Sequence, residues 1–395
     1  MDVLMLFEWV CGLVAALLNL PVGVLLAQVL LAFKARGEAR MPMVRRPRIA
    51  VLIPAHDEAA VIADTLAALK PQLVDGDCLL VVADNCSDDT AALARSAGAE
   101  AVERFHATLR GKGFALAFGV RYLEVTPPEV LLIVDADCRV EAGAVERLAR
   151  LCAETSRPVQ ALYLMRAPSG ASLKMRVAEF AWRVKNWVRP LGWLRLDLSC
   201  QLMGTGMAFP WPMAARMDLA NASIVEDMRL GLDLALEGSA PLFCPEAAVT
   251  SWFPTGEAAA RRQCTRWEHG HLGLIQRETP RLLAKALVRG DVRLLGLALD
   301  LLVPPQALLV LLLAGSVAVT GIAAMVGLSM VPFVLALVGL VGLTASVLLA
   351  WAGWGSSVVS LTDLLLVPFY VLSKVPVYLT FWFRRQKEWV RTDRE

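Results

Sequence analysis

The 62 residues from Leu301 to Thr362 contain no Asp, Glu, Lys or Arg. A bilayer crossing needs about 20 apolar residues, so this run is long enough for at least two. A second apolar run, Trp9–Phe33, is broken only by Asn19 and Gln28 and contains Pro21. It is too long for the apolar region of a signal peptide, and Asp2 and Glu8 precede it instead of a basic stretch, so it reads as a retained span. Hydrophobic residues make up 57% of the 395 and charged residues 19%. Soluble domains sit nearer 45–50% and about 25%. The composition excludes a disordered or fibrous chain. Most ionisable residues fall between Lys34 and Arg293, which places a globular domain between membrane segments.

Orientation follows from the flanks. Lys34, Arg36, Arg40, Arg45, Arg46 and Arg48 face a single acid, Glu38, just after the first span. The positive-inside rule puts this flank in the cytoplasm. The expected layout is an N-terminal transmembrane helix in 1–33 and a basic linker in 34–47. A cytoplasmic domain follows in 48–291, interface helices included. An interfacial helix in 292–305 then leads to two transmembrane helices in 306–354. The stretch 361–383 is apolar but carries Asp363, Lys374, Pro368 and Pro376, and Arg384, Arg385 and Lys387 follow it. A cytoplasmic domain and a cytoplasmic tail, 384–395, require an even number of crossings between them. The segment 361–383 therefore reads as interfacial or re-entrant. The whole is a multi-pass protein of the inner, cytoplasmic membrane. A net charge of +2 gives no reason to expect nucleic acid. The eight cysteines are scattered without a C-x-x-C pair, as reduced cytosolic thiols would be.

Within the domain, Arg48–Pro54, Cys78–Ala83 and Val130–Val134 are short apolar runs that read as buried parallel strands, with Val102–Arg104 as a shorter one. Helical spacing over Ala59–Leu69, Asp89–Ala97 and Gly113–Tyr122 alternates with them. This is an α/β, Rossmann-like pattern with a parallel sheet covered on both faces. Ligands in such sheets bind beyond the carboxyl ends of the strands. Acids recur there: Asp57-Glu58, Asp84, and Asp135 with Asp137.

In Asp135-Ala136-Asp137 the alternating positions let both carboxylates face one site. Two hard oxygen ligands suit Mg²⁺ or Mn²⁺; the alternative is a solvated loop. Asp84 closes a strand where it can accept a hydrogen bond from a nucleobase, whereas Asp88 and Asp89 read as helix-capping acids. Gly111-Lys112-Gly113 before a helix suits phosphate, and equally an ordinary surface turn. Glu226-Asp227 is either a helix cap or a general base within reach of an acceptor hydroxyl. Gln263, Arg266 and Trp267 share one side of a helix, where Arg266 can take a diphosphate in bidentate fashion, or they belong to an interfacial helix with snorkelling arginines. Ser172–Leu196, with Trp182, Trp187 and Trp193 among basic residues, is either a helix on the headgroups or an aromatic acceptor lining. His269 and His271 read as structural.

These motifs, in this order, resemble the membrane-bound family 2 glycosyltransferases, the group of cellulose, chitin and hyaluronan synthases. The resemblance runs through Val51–Glu58, Asp84, Gly111–Gly113, Asp135–Asp137, Glu226-Asp227 and Gln263–Trp267, over roughly residues 48–270. It implies a GT-A fold, a nucleotide-diphosphate sugar donor with a UDP-sugar expected, a divalent metal, and inversion at the anomeric carbon. By motif, Asp57, Glu58 and Asp84 would bind nucleoside and Lys112 would lie near the phosphates. Asp135 and Asp137 would engage diphosphate and metal, and Asp227 would be the base. Gln263, Arg266 and Trp267 would hold the diphosphate and the acceptor end. Gly204, Thr205, Gly206 and Glu226 would line the acceptor site. His56-Asp57 departs from the aromatic-Asn of many members, and Asp84 is not part of an acid pair; both bear on nucleobase identity.

The expected activity is transfer of one or a few sugars to a lipid-linked or polysaccharide acceptor at the cytoplasmic face, in envelope or exopolysaccharide synthesis. The Gln263–Trp267 motif points instead to a processive synthase with coupled export. Three apolar spans, however, offer little polar lining for a glycan, so export would need a partner or a homo-oligomer. A reading of another class is a membrane scaffold that binds nucleotide sugar without catalysis; the retained Asp227 and Gln263–Trp267 speak against it.

Overall fold

The computed structural model describes residues 3–34, 41–220, 225–254 and 256–383, without the side chains of 257–261, 382 and 383. Residues 35–40, with Arg36 and Arg40, residues 221–224 and the tail 384–395 lie outside the described residues. The chain divides into two compact units: a helical one drawn from the N-terminal helix, 169–197 and the residues from 261 on, and an α/β one from 36–168 and 198–260. Residues 169–197 and 261–291, which the sequence pattern groups with the domain as interface helices, thus cluster with the helical unit.

The α/β unit is built on one eight-stranded sheet. Its strands are β1 (Ile49–Ala55), β2 (Cys78–Asp84), β3 (Glu100–Arg104), β4 (Val130–Ile133), β5 (Arg139–Val140), β6 (Val159–Arg166), β7 (Met207–Pro210) and β8 (Leu242–Trp252). They lie in the order β3-β2-β1-β4-β7-β6-β8-β5. The four strands read from sequence are the parallel half, β3-β2-β1-β4. The sheet is not parallel throughout. β7 runs antiparallel to both β4 and β6, β8 is parallel to β6, and β5 is antiparallel to β8. Strands buried on both faces are near-continuously apolar, as β1 and β2 are, and their side chains pack with Leu116 and Val120 of the helix Lys112–Leu123. Gly119 permits that approach: a Cβ there would stand 2.3 Å from Leu52 Cδ1.

Among the described residues, the helical unit contains three helices long and apolar enough to cross a membrane: Val3–Ala32, Gln306–Met325 and Val331–Gly355. The polar residues of the first helix are used inside the unit. Asn19 Nδ2 donates to the Leu335 carbonyl at 3.0 Å. Gln28 Nε2 donates to Asp300 Oδ1 at 2.8 Å, and Arg189 Nη2 holds the same oxygen at 2.9 Å. An apolar environment demands such pairing, because an unsatisfied polar group there costs several kcal/mol. The stretch 361–383 is not one long helix but three short ones, Leu361–Leu364, Val367–Ser373 and Val375–Phe383, broken where Pro368 and Pro376 restart it. The segment after residue 291 forms the helix Val292–Leu302, capped by Asp291, which accepts from the amides of Arg293 and Leu294. All eight cysteines are unpaired with one another. His269 and His271 are buried, and each donates Nε2–H to a backbone carbonyl, of Val377 and Leu301, as the structural reading expects.

Candidate active site

Because β1, β2 and β4 run parallel, their carboxyl ends emerge along one edge of the sheet. The register Ala55↔Ala83 sets Asp84 level with His56, and His56 Nδ1–H donates to the Asp84 carbonyl at 2.7 Å. Asp57 follows in a left-handed conformation, φ 52°. Its Oδ1 accepts from the Ser87 amide at 2.6 Å and from Ser87 Oγ at 3.1 Å. The Glu58 amide is fixed by Thr90 Oγ1 at 2.9 Å. Asp84 is buried, and Arg104 Nη1 lies 2.5 Å from its Oδ1. Asp88 Oδ1 accepts from the Thr90 amide at 3.0 Å, but the N-cap position is Asp89, whose side chain makes no cap bond.

One strand further, Asp135 and Asp137 sit on the loop between β4 and β5. Thr65 Oγ1 donates to the Ala136 carbonyl at 2.7 Å, and the Asp135 amide donates to Thr205 Oγ1 at 3.0 Å. The loop is therefore pinned from both sides. The ligand atoms of Asp135, Asp137 and Cys138 all lie within 4.8 Å of one another.

Lys112 opens its helix behind Gly111, whose φ of 121° only glycine adopts readily. Its Nζ stands 2.5 Å from Asp135 Oδ1 and 2.6 Å from the Gly204 carbonyl. Gly204 has φ +92°, and a Cβ there would lie 3.2 Å from Asp227 Oδ2. Glu226 and Asp227 form the first turn of the helix Glu226–Leu236. The cluster is electrostatically uneven. Burial opposes the Lys112 charge, but Asp135, Glu226 and Asp227 outweigh it and hold the ammonium well above its usual value. Burial and then the Asp227 charge raise the Glu226 carboxyl to about 7, against the pull of Lys112.

Sequence reasoning missed two residues that shape this site. Gln160, fully buried in β6, donates to the Thr205 carbonyl at 2.9 Å and accepts from the Met203 amide at 2.8 Å, so it sets the 203–205 loop. A lone amide in an apolar run was the available signal. Arg104, the partner of Asp84, had none until the strand register was known. Of the residues singled out from sequence, Lys112, Asp135, Gly204, Thr205, Glu226 and Asp227 come together, with Asp137 beside Asp135 and Gly206 just before β7. Asp57, Glu58 and Asp84 gather at the ends of β1 and β2. Gln263, Arg266 and Trp267 lie in the helical unit, on the helix Glu257–Arg289.

Residues 47–270 match the family model described as glycosyltransferase like family 2. The chain belongs to that family. Its fold is the GT-A fold, similar to the mannosyltransferase PcManGT from Pyrobaculum calidifontis in complex with GDP-Man and Mn²⁺. That likeness has TM-score 0.54 and 18% identity, over 86% of this chain and 99% of that one. A weaker likeness, TM-score 0.38 and 21% identity over 59% and 84%, is to glucosyl-3-phosphoglycerate synthase from Mycobacterium tuberculosis in complex with Mn²⁺, UDP-glucose and phosphoglyceric acid. A comparison with curated proteins finds no match. As a glycosyltransferase, the enzyme carries its acids where a GT-A sheet exposes its strand ends, and the sequence motifs and the spatial cluster coincide at Lys112, Asp135 and Asp227.

Proposed function

We propose that the enzyme transfers a sugar, with inversion, from a nucleotide-diphosphate sugar to a lipid-linked or polysaccharide acceptor at the cytoplasmic membrane face. The observation that carries this reading is the convergence of Asp135, Lys112 and Asp227 around Gly204. A diphosphate-side acid, a phosphate-seeking cation and a carboxylate suited to proton abstraction meet where the loop has no side chain to obstruct them. Asp57, Glu58 and Asp84 are assigned to the nucleoside, with a UDP-sugar as the expected donor. Gly204, Thr205, Gly206 and Glu226 are assigned to the acceptor. Gln263, Arg266 and Trp267 are assigned, on their motif, to the diphosphate and the acceptor end.

The paired carboxylates of Asp135 and Asp137, hard ligands with atoms within 4.8 Å, fit a Mg²⁺ or Mn²⁺ ion. Such an ion would neutralise the leaving diphosphate. Asp227 takes the proton of the acceptor hydroxyl as its oxygen bonds to the anomeric carbon and the bond from that carbon to the diphosphate breaks. Lys112 shares the charge on the departing group. The similar mannosyltransferase structure holds GDP-Man and Mn²⁺, which supports this donor class and metal.

The three apolar helices favour a membrane protein that adds one or a few sugars and, if it makes polymer, exports it with a partner or as an oligomer. The test is a donor screen of the purified full-length protein with Mn²⁺ or Mg²⁺, followed by release of nucleoside diphosphate and the mass of the product. Release above background with a metal and one donor class is expected. Silence with every donor and acceptor would leave a non-catalytic binding protein. Long polymer delivered into proteoliposomes by monomeric protein would replace short addition with processive synthesis.

A further inference from the structure

The stretch 361–383 has two charged side chains, Asp363 and Lys374, and both are engaged inside the helical unit. Arg176, on the helix Leu173–Arg183, donates Nη2 to both carboxylate oxygens of Asp363 at 2.9 Å. Ser360 and Asp363 close a capping box at the same point. Lys374 Nζ lies 2.9 Å from Glu268 Oε1, with side chains only 12% and 18% exposed. The ammonium also sits 5.6 Å from the centre of the Tyr370 ring. Tyr370 and Lys374 are one turn apart at the end of the helix Val367–Ser373, so they share one face there. His269 reinforces the dock, donating to the Val377 carbonyl at 2.9 Å and meeting the Phe381 ring edge-on at 5.4 Å.

What this face grips is the turn just after Trp267. On its own side, Trp267 packs on Trp182 at 4.8 Å, and Lys185 lies over the Trp182 ring at 5.7 Å. The turn carrying Gln263, Arg266 and Trp267 is thus braced by an aromatic contact and by a buried ion pair at Glu268. Removing one partner of a buried pair leaves the other charge uncompensated, so the helix would rotate to hydrate it. A positioning group displaced by about 1 Å can cost about 10²-fold in rate.

We propose that residues 360–383 form a clasp on the helix Glu257–Arg289, not a further span, and that Glu268 and Lys374 are a positioning pair that sets the rotation of the Gln263–Trp267 turn. The inference rests on the reading above that this turn serves the donor diphosphate and the acceptor end.

The test compares full-length Lys374→Met, Glu268→Gln and the double reversal Glu268→Lys with Lys374→Glu, all in lipid nanodiscs. Each single change is expected to lower kcat by about 10- to 100-fold with donor KM within about threefold, and the reversal to recover most of that loss. A second readout needs no activity. The near-ultraviolet dichroism of the Trp182–Trp267 contact, isolated by difference from Trp267→Phe, should be lost in the single variants and return in the reversal. If no donor supports turnover in the unaltered enzyme, the functional reading falls and the spectrum alone decides the clasp. Single variants with unaltered kcat and unaltered dichroism would overturn the proposal. So would a reversal that stays as impaired as the singles in both.

Discussion

The helical unit and the Lys112 cluster of the α/β unit handle buried charge in opposite ways. In the helical unit acids and bases are matched: Asp300 with Arg189, Glu268 with Lys374, Asp363 with Arg176, Glu179 with Arg183. In the α/β unit, Lys112 faces three acids, Asp135, Glu226 and Asp227. Matched pairs hold helices together where water is scarce. An excess of one sign costs folding energy and makes sense where a ligand supplies the opposite charge or where a proton must move. The contrast separates charges that build the molecule from charges that act on something else, and it can be broken by experiment.

The largest effect is expected at the uneven site. Asp227→Asn keeps the shape and removes the proton acceptor, so turnover should fall by about 10²- to 10⁴-fold while titration with the donor nucleotide still shows binding. An Asp227→Asn enzyme with near-normal turnover would sink the assignment of the base and, with it, the idea that the uneven charge serves the reaction.

The matched charges predict a loss of stability instead. Arg189→Met leaves Asp300 buried with only Gln28 for company, and the cost should be about 3–5 kcal/mol. Exposed Arg45, paired with Glu129 at 2.8 Å, is the control; Arg45→Ala should cost well under about 1 kcal/mol. Thermal unfolding in detergent reads both. Equal losses at the two positions would mean that burial does not distinguish these pairs.

How far these features could be read in advance depends on their range along the chain. The parallel half of the sheet was legible because β1, β2 and β4 are apolar without interruption and each is followed by an acid or a helix. The other half was not. β5 has two residues, β7 has four and β8 carries Pro245, so no local period marks them as strands; pairing across the sheet decides them. Asp84 was visible as a strand-end acid, yet its partner Arg104 is specified only by the β2–β3 register, which sets the two residues opposite each other. The three long apolar helices were legible from length alone. The partners of Asn19, Gln28, Asp363 and Lys374 were not, since each lies more than 100 residues away.

A smaller effect than at Arg189 is expected at Glu226, and it tests the uneven charge without chemistry. Its carboxyl is raised from 4.5 to about 7 by burial and by Asp227, with Lys112 opposing and Asp135 adding to the rise. The folded state therefore binds a proton more tightly than the unfolded chain does. That contribution to stability is complete below about pH 4.5 and is lost as pH rises through about 7. Glu226→Gln mimics the protonated form at every pH. The unaltered protein should thus lose stability relative to the variant between pH 5 and pH 8, by about 1–3 kcal/mol, given 1.36 kcal/mol per pKa unit. Unfolding of both proteins in chelator, across that range, measures the difference. A gap that stays constant with pH would mean that Lys112 already balances Glu226, and the α/β unit would then handle its charges as the helical unit does.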